Sequence, residues 1–398
     1  MEDNLIHAHP RLRLVAPALL GSALLALALL FATRASAAKP KPAAPKPTNI
    51  KVMTRNIYLG ADLTPAIEAK GVGAFTEATG EILRQVTAND FPVRAKGLAK
   101  EIIEKEPDLV GLQEVAEWRT GPPSLETLLG GSKPHAETVR YDYLTELLAQ
   151  LNKGKNRYRA AVVNPEFDFE APADENGIPG DGPNSLIPNA EINARLTMRD
   201  VILAKVGDEV KTSHPTKGHY KSLFSEEISG AKVIVTRGWA AVEASVNGSA
   251  PFKFVDTHLE SFDPQTTVPS IRALQAGELV APSGPATSKL PVILVGDMNS
   301  DTKTAVQPGD GQAYEALVKG GMRERSTYEP LGCCLETPLL PVSGGGNASQ
   351  FDHKVDHIMT NDPSQVKLVK SSVTGRKPQN GFWDSDHAGL FSELRILP

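Results

Sequence analysis

From Asn49 onward, short apolar runs alternate with stretches whose apolar positions recur every three or four residues. The first kind reads as buried strands and the second as amphipathic helices. Ile50–Asn56 is an apolar run that predicts a strand. Val93, Leu98, Ile102 and Ile103 share one face of a helix predicted over Val93–Glu104, and Pro107 stops it before a strand at Asp108–Gln113. Leu144, Leu147, Leu148 and Leu151 mark a second helix over Tyr143–Leu151. Further strands are predicted at Tyr158–Asn164, Val201–Lys205, Lys232–Thr236, Trp239–Val246, Phe252–His258, Pro291–Val295, Lys354–Thr360, Val366–Val369 and Gly389–Ile396, with helices at Ser270–Val280 and Gln312–Lys319. Asn247-Gly248 lies between two of these strands and signals a hairpin. Mixed order with hairpins predicts α/β layers rather than a purely parallel sheet. No repeat and no Pro/Gly-rich break divides residues 49–398, so one domain is expected there.

The N-terminus follows a different pattern. Arg11 and Arg13 precede an apolar run from Leu14 to Ala32, and Ala35-Ser36-Ala37 offers a small-x-small cleavage site. Residues 1–37 therefore read as an export signal; the run of about 20 residues also has the length of a single membrane anchor. Residues 38–48, rich in Pro and Lys, read as an extended tether. Lys+Arg number 42 against 47 Asp+Glu, a net charge of −5. Taking away the three Arg and two acids of residues 1–37 leaves −6. That balance argues against a protein held to nucleic acid by non-specific backbone contacts.

Residues 160–194 carry seven acids (Glu166, Asp168, Glu170, Asp174, Glu175, Asp181 and Glu191) and no Lys or Arg. With their Pro, Gly and Asn they read as a long acidic loop insertion. The only cysteines, Cys333 and Cys334, are adjacent. They are open to a vicinal disulfide or a thiol pair in a structural loop, and two cysteines alone do not complete a zinc site.

Chemistry collects at the strand ends. Successive predicted strands finish in Arg55-Asn56, Gln113-Glu114, Asp256-Thr257-His258 and Gly296-Asp297-Met298-Asn299. Asp356 sits inside an apolar strand, and the last strand is entered through Ser385-Asp386-His387. In layered α/β folds sites assemble at such edges. These residue types suit phosphate-ester hydrolysis. Glu114 and Asp386 are hard oxygen ligands for Mg²⁺. Asp297 with Asn299 is placed to hold and deprotonate a water. Asn56, His258 and His387 supply donors to phosphoryl oxygens, and Asp356 is the expected partner fixing the tautomer of His387.

Taken in order, this series resembles the endonuclease/exonuclease/phosphatase superfamily from about Asn49 to the C-terminus. The resemblance implies a four-layered α/β sandwich, two stacked mixed β-sheets flanked by helices, with a Mg²⁺-dependent phosphoesterase site (Mn²⁺ being an alternative). It implies metal and phosphate contacts for Asn56 and Glu114, a metal contact for Asp386, and the nucleophilic water for Asp297 and Asn299. It further implies phosphate contacts for His258 and Asn299, with His387 closing the site and Asp356 behind it. The stretch Arg237-Gly-Trp-Ala-Ala-Val-Glu through Phe254-Val-Asp-Thr-His-Leu-Glu is similar to the secreted neutral sphingomyelinase-like branch. Arg272 and Gln275, on the following helix, read as a solvated face. Tyr58 stands where abasic-site nucleases carry Asp, which argues against a repair nuclease. Asp200 replaces a Gly or Asn common in the family, and is open to a role behind His258, at a second metal contact, or in structure alone.

The expected function is an exported metal-dependent phosphodiesterase acting on a phospholipid head group or another small phosphodiester. It would meet a membrane surface only through its substrate and need no obligate protein partner. The alternatives are an extracellular nuclease cleaving DNA or RNA, and a catalytically silent binding relative.

Overall fold

A computed structural model describes residues 44–398, apart from 132, 184–185, 188, 263–268 and 302–310. The export signal and all but the last residues of the tether lie outside the described residues. Among the latter, no helix is long and apolar enough to cross a membrane.

In chain order the elements are β1 (Thr48–Asn56), α1 (Thr64–Glu68), α2 (Val72–Ala88), α3 (Phe91–Lys105), β2 (Leu109–Gln113), β3 (Glu117–Gly121), β4 (Thr138–Asp142) and α4 (Tyr143–Leu151). There follow β5 (Tyr158–Ala173), β6 (Ile192–Lys205), β7 (Val210–His219), β8 (Phe224–Ile228), β9 (Ala231–Val235), β10 (Gly238–Val246) and β11 (Phe252–His258). The chain ends with α5 (Ile271–Val280), β12 (Val292–Asp297), α6 (Gln312–Lys319), β13 (Arg323–Glu324), β14 (Asp356–Thr360), β15 (Val366–Thr374) and β16 (Gly389–Ile396). β1 begins at Thr48, inside the segment expected to be tether.

Two mixed sheets form the centre. The first runs β15-β16-β1-β2-β6-β3-β4 with β5 also on β6, and the second runs β13-β14-β12-β11-β10-β7. Each contains one parallel pair, β1 with β2 and β11 with β12. Ile50, Val52, Leu109 and Ile202 from the first sheet pack against Val242, Phe254, Ile293 and Ile358 from the second. Strands covered on both faces must be apolar throughout, which is why these read as uninterrupted runs. The outer face of the first sheet is covered by α2, α3 and α4 through Leu83, Leu98 and Leu147. The outer face of the second is covered by α5 and α6 through Leu279 and Leu317. The result is helix, sheet, sheet, helix: the expected four-layered sandwich. The Asn247-Gly248 turn is also as expected, with both residues at positive φ and Ser249 N–H donating to Val246 O at 2.9 Å.

Only the middle of the acidic segment is a loop. Residues 158–173 and 192–205 pair as the long antiparallel hairpin β5–β6, and 174–191 connect them outside the strands. Its acids have local partners that allow strand structure: Asp168 pairs with Arg195, and Glu170 accepts from the N–H groups of His135 and Ala136 and from Asn193. Helix α2 was not foreseen, because glycines and threonines dilute its pattern. Gly80 is required there, since a Cβ would lie 1.8 Å from the carbonyl oxygen of Asp174 where the helix crosses β5.

Candidate active site

Strand register brings the residues together. In the second sheet His258 pairs with Asp297 across β11 and β12, and Asp297 with Asp356 across β12 and β14. In the first, Asn56 pairs with Gln113 at the ends of β1 and β2. Gln113 Nε2 donates to Asp256 Oδ1 at 2.6 Å, tying one sheet to the other beneath the site.

Asp297 is the hub. Its Oδ2 lies 3.1 Å from Asn56 Nδ2, 3.6 Å from His258 Nε2 and 3.7 Å from His387 Nε2. The N–H of Asn299 donates to Oδ1 at 2.9 Å. Gly296, at φ 148°, lets the strand end turn here: a Cβ would fall 2.0 Å from the carbonyl oxygen of Thr257. Asn299 differs from expectation in its side chain, which donates to Leu259 O at 2.9 Å. It orients Asp297 through its backbone.

The two histidines are tuned apart. His258 Nδ1 lies 3.1 Å from Arg237 Nη1. A guanidinium only donates, so this contact places the imidazole proton on Nε2, toward Asp297. Burial, Arg237 and His387 all hold His258 far below its usual range, hence neutral. Burial alone would lower His387 too, but Asp356, Asp297 and Asp386 overcome it and hold this ring well above its usual range. Asp356 Oδ2 sits 2.9 Å from His387 Nδ1, as expected. Asp297, Asp356 and His387 each place a ligand-capable atom within 4.8 Å of the others. That spacing would allow the trio to hold a metal ion.

Asn56 Nδ2 also donates to Glu114 Oε1 at 2.9 Å, and Leu59 N–H to Glu114 Oε2 at 2.7 Å. Burial and then the charge of Asp386 raise the pKa of Glu114. Burial likewise raises Asp386, against the pull of His387. Both line one cleft, and neither is ion-paired among the described residues. Two buried carboxylates close enough for one to raise the other fit an oxygen-ligated divalent cation. Tyr58, Glu114 and Asn299 adopt left-handed backbone, φ 58°, 58° and 46°. Such outliers cluster where surrounding structure fixes a site.

The His387 loop is anchored from below. Ser385 Oγ donates to Asn56 O at 2.8 Å, and buried Arg55 donates to the carbonyl of His387 while pairing with Glu101 at 3.0 Å. Cys333 and Cys334 pair as a vicinal disulfide whose sulfurs lie 3.7 and 3.8 Å from His387 Nε2, so the cysteine loop walls the site.

Asp200 makes no hydrogen bond to His258 among the described residues. It lies fully buried beside Glu166, and burial raises it to about 7. Arg272 and Gln275 do not form a solvated face. Arg272 donates to the carbonyls of Asn299 and Ser261, and Gln275, fully buried, accepts from Glu260 N–H and donates to Ser222 O. Arg237, quoted in the motif but given no role, is the residue that sequence reasoning missed. Its signal was an arginine between two strands with no acid beside it in the sequence.

No family model matches the chain, and no curated protein matches it. Solved structures do. An endonuclease/exonuclease/phosphatase family protein from Bacteroides thetaiotaomicron superposes with a TM-score of 0.50 at 14% identity, over 89% of this chain and 97% of that one. The chain has the fold of the endonuclease/exonuclease/phosphatase proteins. A family protein from Beutenbergia cavernae is 19% identical over 87% of this chain and 72% of its own, TM-score 0.48. A mannosyl-6-phosphatase from Bacteroides thetaiotaomicron is 14% identical over 87% and 99%, TM-score 0.47.

Proposed function

We propose that the chain is an exported, divalent-metal-dependent phosphoesterase that cleaves a phosphodiester by attack of water. The observation that carries this reading is the convergence of Asn56, His258, His387 and the Asn299 amide on the one carboxylate of Asp297. Asp297 Oδ2, directed by Asn56, accepts the proton of the attacking water. The neutral His258 donates through Nε2–H to a phosphoryl oxygen, and the cationic His387, held by Asp356, donates a second hydrogen bond as charge develops. Donors already in place stabilise that charge without reorganising. Glu114, Asp386 and Asn56 are the residues that would hold Mg²⁺ or Mn²⁺, which when bound neutralises charge on the phosphoryl group.

For substrate, the net charge of −5, which would be −6 without residues 1–37, and the resemblance of the Arg237–Glu243 and Phe254–Glu260 stretches to neutral sphingomyelinase-like proteins support a phospholipid head group or a small phosphodiester over a polynucleotide. The shared fold keeps an extracellular nuclease as the second reading. Export rests on the Arg11–Ala37 layout. The test offers the purified chain bis-p-nitrophenyl phosphate, sphingomyelin or phosphatidylcholine vesicles, and plasmid DNA, each with Mg²⁺ and with EDTA. EDTA-sensitive turnover of lipid but not DNA is expected. Turnover of DNA alone would establish the nuclease, and no turnover at all would make the chain a silent relative.

A further inference from the structure

Glu114, which bonds Asn56 beside Asp297, and Asp386 also line a cavity of about 470 Å³, a size typical of small-molecule sites. Glu114, Asp386, Arg237, Asp62 and Glu336 carry the charge on its lining, and Thr79, Ser261 and Thr337 add hydroxyls. Most of the remaining wall is hydrocarbon: Ile67 from α1, Ile82 from α2, Leu196 and Met198 from β6, Ile228 from β8 and Val235 from β9. Its phenyl rings pack on one another, Phe75 edge-on to Phe169 at 6.3 Å and Phe167 stacked on Phe169 at 5.9 Å, rather than standing apart to sandwich a base.

This distribution of polarity selects a ligand. A nucleoside would bring ribose hydroxyls and base edges against a wall with few partners, and buried polar groups left unpaired are costly. An alkyl chain needs none. We propose that the cavity seats a hydrocarbon chain carried by the scissile phosphate, so that the substrate is a lipid-like phosphoester whose phosphoryl group meets Asp297 while its chain enters the protein. The proposal rests on the phosphoesterase reading of the Asp297 site and adds the place where a substrate's hydrocarbon chain is bound. The cavity walls come from α1, α2, β5, β6, β8, β9 and the 335–338 loop, which meet only in the fold.

The test measures kcat/KM of the full chain with Mg²⁺ on 4-nitrophenyl alkyl phosphates from methyl to octyl, each below its micelle concentration. Each methylene entering the cavity should raise kcat/KM roughly threefold to fourfold until the cavity is full. Thymidine 5′-(4-nitrophenyl phosphate) should be no better than the methyl ester. Ile228→Trp, which fills the cavity at β8, should flatten the series. Independently of folding in that variant, octyl phosphate titrated into the wild type in EDTA should bind with a negative heat-capacity change that methyl phosphate lacks. A flat series with the methyl ester hydrolysed, or preference for the thymidine ester, would overturn the chain site while leaving the phosphoesterase reading intact. Hydrolysis of no ester, bis-p-nitrophenyl phosphate included, would overturn the underlying reading, and a heat-capacity change equal to that of methyl phosphate would then overturn the cavity assignment as well.

Discussion

At the scale of single residues the site works by contrast between chemically identical groups. His258 and His387 are both buried imidazoles near Asp297. One faces a guanidinium and is kept neutral; the other is surrounded by three carboxylates and is kept charged. Removing the imidazole of His387 by alanine substitution should therefore lower kcat by roughly 10³-fold, about 4 kcal/mol of barrier, with a smaller effect on KM. Steady-state kinetics on a chromogenic diester would show it, and a variant within a few-fold of wild type would remove His387 from the mechanism. Glu114 makes a different prediction. Glu114→Gln keeps the shape and loses a charge facing Asp386, so half-maximal activity should need at least about tenfold more Mg²⁺. A metal titration that superposes on wild type would take Glu114 off the ligand set.

At the scale of elements, what could be read from the sequence followed from burial. Strands β1, β2, β11 and β12 are covered on both faces, so they appear as apolar runs, and the polar residues ending them stand out. That made Asn56, Glu114, His258 and Asp297 legible without knowing their neighbours. Of the hairpin β5–β6 only Tyr158–Asn164 and Val201–Lys205 were legible; the rest was hidden because its acids are balanced by Arg195, Asn193 and backbone N–H groups distant in sequence. Arg272 and Gln275 misled for the same reason. Polar residues three apart on a helix look solvated, and only tertiary structure supplies the carbonyls and the N–H they bond. A third polar network sits behind the site, at the edge of the second sheet. Burial alone would raise Glu324 of β13, but His357 at 2.7 Å and Lys354 at 3.4 Å hold it down at about 2. A carboxyl depressed in the folded state contributes stability that is complete above its ordinary value of 4.5 and lost as pH falls toward 2. Denaturant melts between pH 5 and 2 should show wild type losing up to about 3 kcal/mol more than Glu324→Gln. Parallel losses in the two proteins would refute this role.

At the scale of the whole molecule, two sheets stacked through one apolar interface act as a rigid frame whose strand ends meet at one rim. Gln113 to Asp256 is a direct bond from one sheet to the other, and Asn56 to Asp297 is a second one at the surface of the site. The groups around Asp297 are thus held by the same contacts that hold the sandwich together, and the cysteine loop and Arg55 pack against them. The cavity beside it belongs to this scale too, since α1, α2, β6, β8 and β9 each contribute a wall. All of these features bear on Asp297, whose carboxylate joins both sheets and both histidines. The most direct test is the rate of bis-p-nitrophenyl phosphate hydrolysis in saturating Mg²⁺ for wild type and Asp297→Asn, with circular dichroism confirming that both are folded. The geometry predicts EDTA-sensitive hydrolysis by the wild type and a loss on the order of 10³-fold or more in the variant. Equal rates in the two folded proteins would contradict it.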